Sequence, residues 1–310
     1  MVERVVEFLR EPKWRRQHGW RRAIWTTMAR IGLTGVHALP VNRRWVEIHR
    51  RRMPLPGLDP ALEGKRLVQI SDLHYSPVVW RDYLTQYLEW VNDVEADIVV
   101  VTGDLITGGY LYAKGVADLL ARLRAPLGVF CTFGNHDYSI YGKTHRAEAK
   151  RRGDYLEKSI EDRGLIVLRN ESHKIAPAGA QTALTLVGLD DEWSGQIDPE
   201  KAFDHVRSDQ PVICLNHNPA NCHELLIYPW QWMLSGHTHG RSVATSKWGR
   251  TFYPHKYRHF VHGYYAVNGR HLYVNRGLSY GQRVREWCRP EITVFKMTGD
   301  ASPAAAVIGD

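Results

Sequence analysis

Hard oxygen donors and imidazoles recur in five short groups along this 310-residue chain: Asp72-Leu73-His74, Gly103-Asp104, Gly134-Asn135-His136-Asp137, His217 and Gly236-His237-Thr238-His239. Carboxylate and amide oxygens with imidazole nitrogens, and no thiolate, suit Mn, Fe, Zn or Mg and disfavour a closed structural zinc site. Alone, a histidine beside apolar residues is ordinarily a core or surface group, and a Gly-Asp or Gly-Asn is ordinarily a turn. Five such groups in one chain, each directly after an apolar run, point instead to ligands gathered for a two-metal hydrolase.

The runs that must position these groups are Leu67-Val68-Gln69-Ile70, Ile98-Val99-Val100-Val101, Leu127-Gly128-Val129-Phe130, Val212-Ile213-Cys214-Leu215 and Trp232-Met233-Leu234. They read as buried strands, so the donors that follow converge along one edge of a sheet. Tyr83, Leu84, Tyr87, Leu88 and Val91 recur at helical spacing, as do Leu111, Val116, Leu119, Leu120 and Leu123, while Thr182–Gly188 is strand-like. Strands alternating with helices indicate an α/β layered fold. There is no internal repeat and no low-complexity tract.

The five groups, in this order, resemble the calcineurin-like metallophosphoesterase family, whose blocks are D-x-H, G-D, G-N-H-D or -E, H, and G-H-x-H. The resemblance runs from about Lys65 to about Lys296. Leu215-Asn216-His217-Asn218-Pro219, Leu234–Gly240, Val274-Asn275-Arg276-Gly277-Leu278 and Arg289-Pro290-Glu291-Ile292 are similar to its bacterial branch of membrane-associated phosphodiesterases and a UDP-2,3-diacylglucosamine diphosphatase. Arg241 departs from that branch, which usually has a second glycine there, and bears on the rim of the substrate site. The resemblance implies two mixed β-sheets packed as a sandwich flanked by helices.

It also implies a division of roles. Asp72, His74 and His239 fall to the first ion, and Asn135, His217 and His237 to the second. Asp104 is the bridge, because a carboxylate has two oxygens with which to serve both ions. Two divalent ions, Mn foremost with Fe, Zn and Mg as alternatives, lower the pKa of a shared water and give a bridging hydroxide for in-line attack on phosphorus. His136 is the catalytic histidine that is not a ligand, a general acid or a hydrogen-bond donor to the transition state. Asp137 is expected to orient its imidazole. Arg276, in the Asn-Arg-Gly turn, is the candidate for touching substrate phosphate.

The charge is unevenly spread. Residues 1–58 hold 13 Lys and Arg against 4 Glu, a net of +9, which leaves 28 basic and 29 acidic residues, a net of −1, for residues 59–310. The expected organisation is therefore a basic, helical appendage over 1–58 and a catalytic domain over 59–310. Trp14, Trp20, Trp25 and Trp45 lie in the appendage, and Trp20, Ile24, Met28 and Ile31 share a helical stripe, which suits a helix lying on an anionic bilayer surface. The longest apolar candidate there, Ile31–Val41, is far short of the ~20 residues a crossing needs. Arg21-Arg22 is not read as an export signal, because Arg30 interrupts the apolar region behind it. Packing of the appendage on the catalytic body is the alternative. Four cysteines, at 131, 214, 222 and 288, show no paired spacing, consistent with reduced thiols and a reducing compartment.

Tyr138–His145 and Lys247–His262 mix aromatic and cationic residues and are expected to shape the substrate site. Together these features describe a binuclear phosphoesterase on the cytoplasmic face of the inner membrane. Its substrate is a phosphodiester or pyrophosphate, foremost a lipid-linked one such as UDP-2,3-diacylglucosamine. The alternatives are a broad phosphodiesterase or nuclease, since a basic segment with tryptophans also suits nucleic acid, and a non-catalytic scaffold on the same fold.

Overall fold

Continuous apolar runs form strands here because both faces of each strand are covered. In β2 (Arg66–Ile70), Leu67 enters one core while Val68 and Ile70 enter another, and β3 (Ile98–Thr102) divides Ile98 and Val100 from Val99 and Val101 in the same way. The period of two is present, but it sorts apolar residues between two cores rather than apolar from polar. The computed structural model describes residues 46–77, 79, 81–140, 146–240, 260–279 and 289–300.

Two six-stranded mixed sheets result. The first contains β1 (Glu47–Pro54), β2, β3, β4 (Val129–Thr132), β5 (Ile166–Val167) and β12 (Glu291–Thr298), in the order β1-β12-β2-β3-β4-β5. The second contains β6 (Glu171–Ile175), β7 (Leu184–Gly188), β8 (Val212–Leu215), β9 (Trp232–Ser235), β10 (Gly263–Val267) and β11 (Arg270–Val274), in the order β10-β11-β9-β8-β7-β6. Phe130, Phe295, Met53 and Met297 from the first sheet pack against Leu186, Ile213, Trp232 and Leu234 from the second. Gln69 crosses this layer, donating from Nε2 to the Ser235 carbonyl at 3.0 Å.

Helices α1 (Arg81–Asp93), α2 (Ala113–Leu120) and α3 (Arg146–Glu161) cover the other face of the first sheet. α1 buries Leu84, Tyr87, Leu88 and Val91, the stripe expected from its spacing. α2 begins at Ala113, so Leu111 stands outside it and is 67% exposed. β4 ends two residues later than the apolar run suggested, after Gly128 at φ +118°.

The compact body begins earlier than the boundary expected at residue 58. Glu47–Pro54 is an edge strand paired in parallel with β12 from Glu47↔Glu291 to Pro54↔Thr298, and a compact unit starts at Val46. Glu47 and Arg50, Arg51 and Arg52 therefore belong to the sheet, which leaves 10 basic and 3 acidic residues in 1–45. The amphipathic stripe expected at Trp20–Ile31 lies outside the described residues. Among those described, no helix is long and apolar enough to cross a membrane. Cys131, Cys214 and Cys222 are buried free thiols, as their spacing suggested; Cys288 lies outside the described residues.

Candidate metal centre and active site

Every expected ligand follows the carboxyl end of a parallel strand: Asp72 and His74 after β2, Asp104 after β3, Asn135 after β4, His217 after β8, and His237 and His239 after β9. Asp72 (φ +50°), His74 (+47°), Asp104 (+53°), His237 (+72°) and His239 (+54°) all lie in the left-handed region. Side chains with a Cβ rarely adopt it, and each instance costs on the order of 1–3 kcal/mol unless the surroundings enforce it. The enforcement is visible between neighbouring loops: the Asp72 N–H donates to the Gly103 carbonyl at 3.0 Å, His74 N–H to Asp104 at 2.9 Å and Ser279 N–H to Asp72 at 3.0 Å.

The side chains form two groups that share one residue. Ligand atoms of Asp72, His74, Asp104 and His239 lie within 4.8 Å of one another, and so do those of Asp104, His217 and His237. Asp104 Oδ2 is 3.2 Å from His217 Nε2 and 3.5 Å from His74 Nε2. Around it the ring nitrogens face each other in pairs, His74 Nε2 to His239 Nε2 at 3.0 Å and His217 Nε2 to His237 Nδ1 at 3.3 Å. The His217 Nδ1–H donates to the Thr102 carbonyl at 2.8 Å, which turns the Nε2 lone pair inward. Asn135 donates from Nδ2 to the Ile140 carbonyl at 2.7 Å, while its buried Oδ1 has no hydrogen-bond partner among the described residues. A buried amide oxygen without a donor is costly, and a cation satisfies it. The donor set, all oxygen and nitrogen, therefore fits a pair of divalent ions.

The charges point the same way. Burial opposes ionisation of Asp104, yet the imidazoles of His217, His136 and His74 hold its carboxyl well below the usual range. Burial likewise disfavours charge on His217, but Asp104 raises it to about 10. Burial pushes Asp72 up to about 7. These buried carboxylates demand positive charge from the nitrogens around them, and a metal ion meets that demand while leaving the imidazoles neutral and donating.

His136 stands beside this cluster. Its backbone N–H donates to Asp104 Oδ1 at 3.0 Å and its ring is edge-on to His74, with centroids 4.5 Å apart. The Nδ1 contact at 3.3 Å is to the Thr107 carbonyl. A carbonyl only accepts, so Nδ1 carries the proton there. Asp137, expected to orient this imidazole, instead holds the loop backbone: its oxygens accept the N–H groups of Gly134 at 2.9 Å and Ile106 at 3.1 Å. Burial pushes its carboxyl well above the ordinary value.

Arg276 is buried in an ion-pair network. Nε donates to Glu291 at 2.8 Å and Nη2 to Glu47 at 2.5 Å. Its guanidinium is thus neutralised by two carboxylates, which ties β1 to the end of the second sheet and gives no support to the expected phosphate contact. Tyr138 is also no part of a rim: it is fully buried, with its hydroxyl donating to Asp190. Residues 141–145, 241 and 247–259 lie outside the described residues.

Sequence reading named Gly134 and Gly236 only as members of their groups, and it missed Ser71 and the loop after β7, all of which press on the expected ligands. Ser71 Oγ lies 2.5 Å from Asp72 Oδ2 and 2.8 Å from the Thr102 carbonyl, one hydroxyl proton shared between two acceptors. Gly236 and Gly134 allow contacts that a methyl group would block, the first against Ser71 and Asp72, the second against Asp104 and His217. The loop after β7 also reaches the centre, with Trp193 edge-on to His237.

Comparison with known proteins identifies the family. The family model described as calcineurin-like phosphoesterase matches residues 65–241. UDP-2,3-diacylglucosamine pyrophosphatase LpxG of Chlamydia trachomatis is 30% identical, over 90% of this chain and 97% of that protein. Phosphodiesterase YaeI of Escherichia coli is 30% identical over 82% of this chain and 88% of its own length, and the uncharacterized metallophosphoesterase YkuE of Bacillus subtilis is 31% identical over 76% and 79%. With its blocks in order, its donors brought together from strand ends of both sheets rather than along one sheet edge, and a family match across more than half its length, this chain belongs to the calcineurin-like phosphoesterases and is a metallophosphoesterase.

Proposed function

We propose that this enzyme hydrolyses a phosphodiester or pyrophosphate bond with two divalent ions, one held by Asp72, His74 and His239, the other by Asn135, His217 and His237, and both by Asp104. The observation that carries this reading is the position of Asp104 Oδ2, within 3.5 Å of a histidine nitrogen from each group. Bound there, the ions would lower the pKa of a water and neutralise charge developing on the phosphoryl oxygens. The protein's part is to fix the donors before reaction and to manage the leaving group. With Nδ1–H engaged by the Thr107 carbonyl, His136 in its imidazolium form would pass its Nε2 proton to the departing oxygen and remain as the neutral Nδ1–H imidazole.

For substrate we infer a lipid-linked nucleotide pyrophosphate, UDP-2,3-diacylglucosamine foremost. The supporting facts are the similarity to LpxG over nearly the full length of both chains and a basic segment with four tryptophans, Trp14, Trp20, Trp25 and Trp45, ahead of the body. That segment would hold the enzyme peripherally on an anionic cytoplasmic leaflet. The test is to supply the purified protein and Mn with UDP-2,3-diacylglucosamine, a cyclic nucleotide, single-stranded DNA and a chromogenic diester. Release of UMP from the lipid nucleotide, at a kcat/KM well above the others, is expected. Faster cleavage of single-stranded DNA would replace this substrate with nucleic acid.

A further inference from the structure

The chain leaving the carboxyl end of β7, Leu189 to Gln196, supplies no expected ligand, yet it is tied down more firmly than a connection requires. Asp190 accepts the Tyr138 hydroxyl, Arg169 Nε at 3.0 Å and the Asp191 N–H at 2.8 Å, and its own N–H donates to Asn170 Oδ1 at 3.0 Å. Asp191 Oδ2 accepts the Ser194 N–H at 2.6 Å while Ser194 Oγ donates to the Asp191 carbonyl at 2.8 Å, closing a turn over Glu192 and Trp193. From this turn two side chains reach the half of the centre built on β8 and β9. Asn218, the neighbour of His217, donates from Nδ2 to Glu192 Oε2 at 3.3 Å. The Trp193 ring meets His237 edge to face, centroids 4.9 Å apart and planes at 83°.

His237 needs such a restraint. Its backbone sits at φ +72°, and its Nδ1 must stay beside His217 Nε2 for the two to share an ion. Imidazole on a strand-end residue can turn about two side-chain torsions, and a fixed perpendicular aromatic ring removes that freedom.

We propose that Trp193 is a positioning residue for the ion held by Asn135, His217 and His237, fixing the ring plane of His237 while Glu192 restrains Asn218 beside His217. This rests on the two-ion reading above. Loss of a partner that orients a metal-bound histidine typically weakens metal binding ~10–100-fold. The effect here should fall on one ion of the pair.

The experiment is Mn titration of the metal-stripped full-length protein, followed by calorimetry and electron paramagnetic resonance, for wild type, Trp193→Ala and Trp193→Phe. Wild type should take two ions. Trp193→Ala should bind one of them ~10–100-fold more weakly and the other unchanged, and Trp193→Phe should bind both within about threefold of wild type. If Trp193→Ala does not fold by circular dichroism, Trp193→Leu, which keeps apolar volume without the ring, is held to the same criteria. Two unchanged ions in the ring-less variant would overturn the role of Trp193 and leave the two-ion reading intact. A wild-type protein that takes fewer than two ions would overturn both.

Discussion

Replacing Gly134 with alanine adds one methyl group at the most crowded point of the centre. A Cβ there would lie 2.6 Å from His217 Nε2 and closer still to Asp104 Oδ1, where ordinary contact begins near 3.4 Å. The shortfall, about 0.8 Å against His217 Nε2 and about 1 Å against Asp104, falls on two buried side chains that have no room to retreat. His217 is tied to the Thr102 carbonyl, and Asp104 to the His136 N–H and the histidine cluster. Gly134 has no left-handed φ, so alanine suits its backbone and the perturbation is one of contact. Displacements approaching 1 Å in a catalytic constellation cost on the order of 10²-fold in rate, and overpacking costs about 1–3 kcal/mol in stability. Gly134→Ala should therefore lose roughly 10²-fold in kcat on a chromogenic diester, bind less metal by mass spectrometry, and still melt cooperatively. A variant with full metal content and activity within about twofold of wild type would refute the contact argument.

Other perturbations separate the roles around that point. Asp104→Asn should lose activity together with both ions, since one carboxylate serves each group; retention of two ions per chain would contradict the sharing. His136→Ala should keep its metal while turnover falls roughly 10²–10⁴-fold, and loss of metal would make His136 a ligand. Burial raises the Glu47 carboxyl, but hydrogen bonds from Arg276, His49 and Arg289 prevail and hold it at about 2, against a usual 4.5. Its stabilising contribution is thus fully present above 4.5 and is lost as pH falls toward 2. Glu47→Gln should melt below wild type at pH 7, with the gap narrowing between pH 4.5 and 2; a gap constant across that window would rule out the ion pair as its cause. A chain starting at Val46 should cleave a small diester at nearly full rate and fail to float with anionic vesicles, and equal flotation of both chains would remove the membrane role from the N-terminal segment.

What the sequence disclosed depended on where partners lie along the chain. Strands β2, β3, β8 and β9 were legible because each is an apolar run ended by a donor residue, so local pattern and function coincide. β1 was hidden: an edge strand reading Glu-Ile-His-Arg-Arg-Arg-Met-Pro is partly exposed over its first six residues, with no alternation to mark it. The ion pair of Arg276 with Glu47 was not legible because the two residues lie 229 positions apart. Asp137 adjoins His136 in sequence, but a tight turn sends its carboxylate to Gly134 and Ile106. The loop after β7 did carry a readable sign, since Leu184–Leu189 followed by Asp190-Asp191 repeats the apolar-run-then-acid pattern of the ligand loops.

The expected ligands themselves break the local rule that sequence reading relies on. Left-handed backbone is the habit of glycine and asparagine, yet Asp72, His74, Asp104, His237 and His239 all adopt it. Such a conformation persists only when other parts of the fold insist on it. Here the insistence comes from hydrogen bonds between loops distant in sequence, and from Gly134 and Gly236, which let those loops approach until a ligand side chain occupies the space of the missing Cβ. The donor residues announce the chemistry, while their geometry is set by neighbours that carry no chemistry of their own. A substitution at such a glycine should therefore act on metal and turnover more than on the fold, the opposite of what its apparent role as a spacer implies.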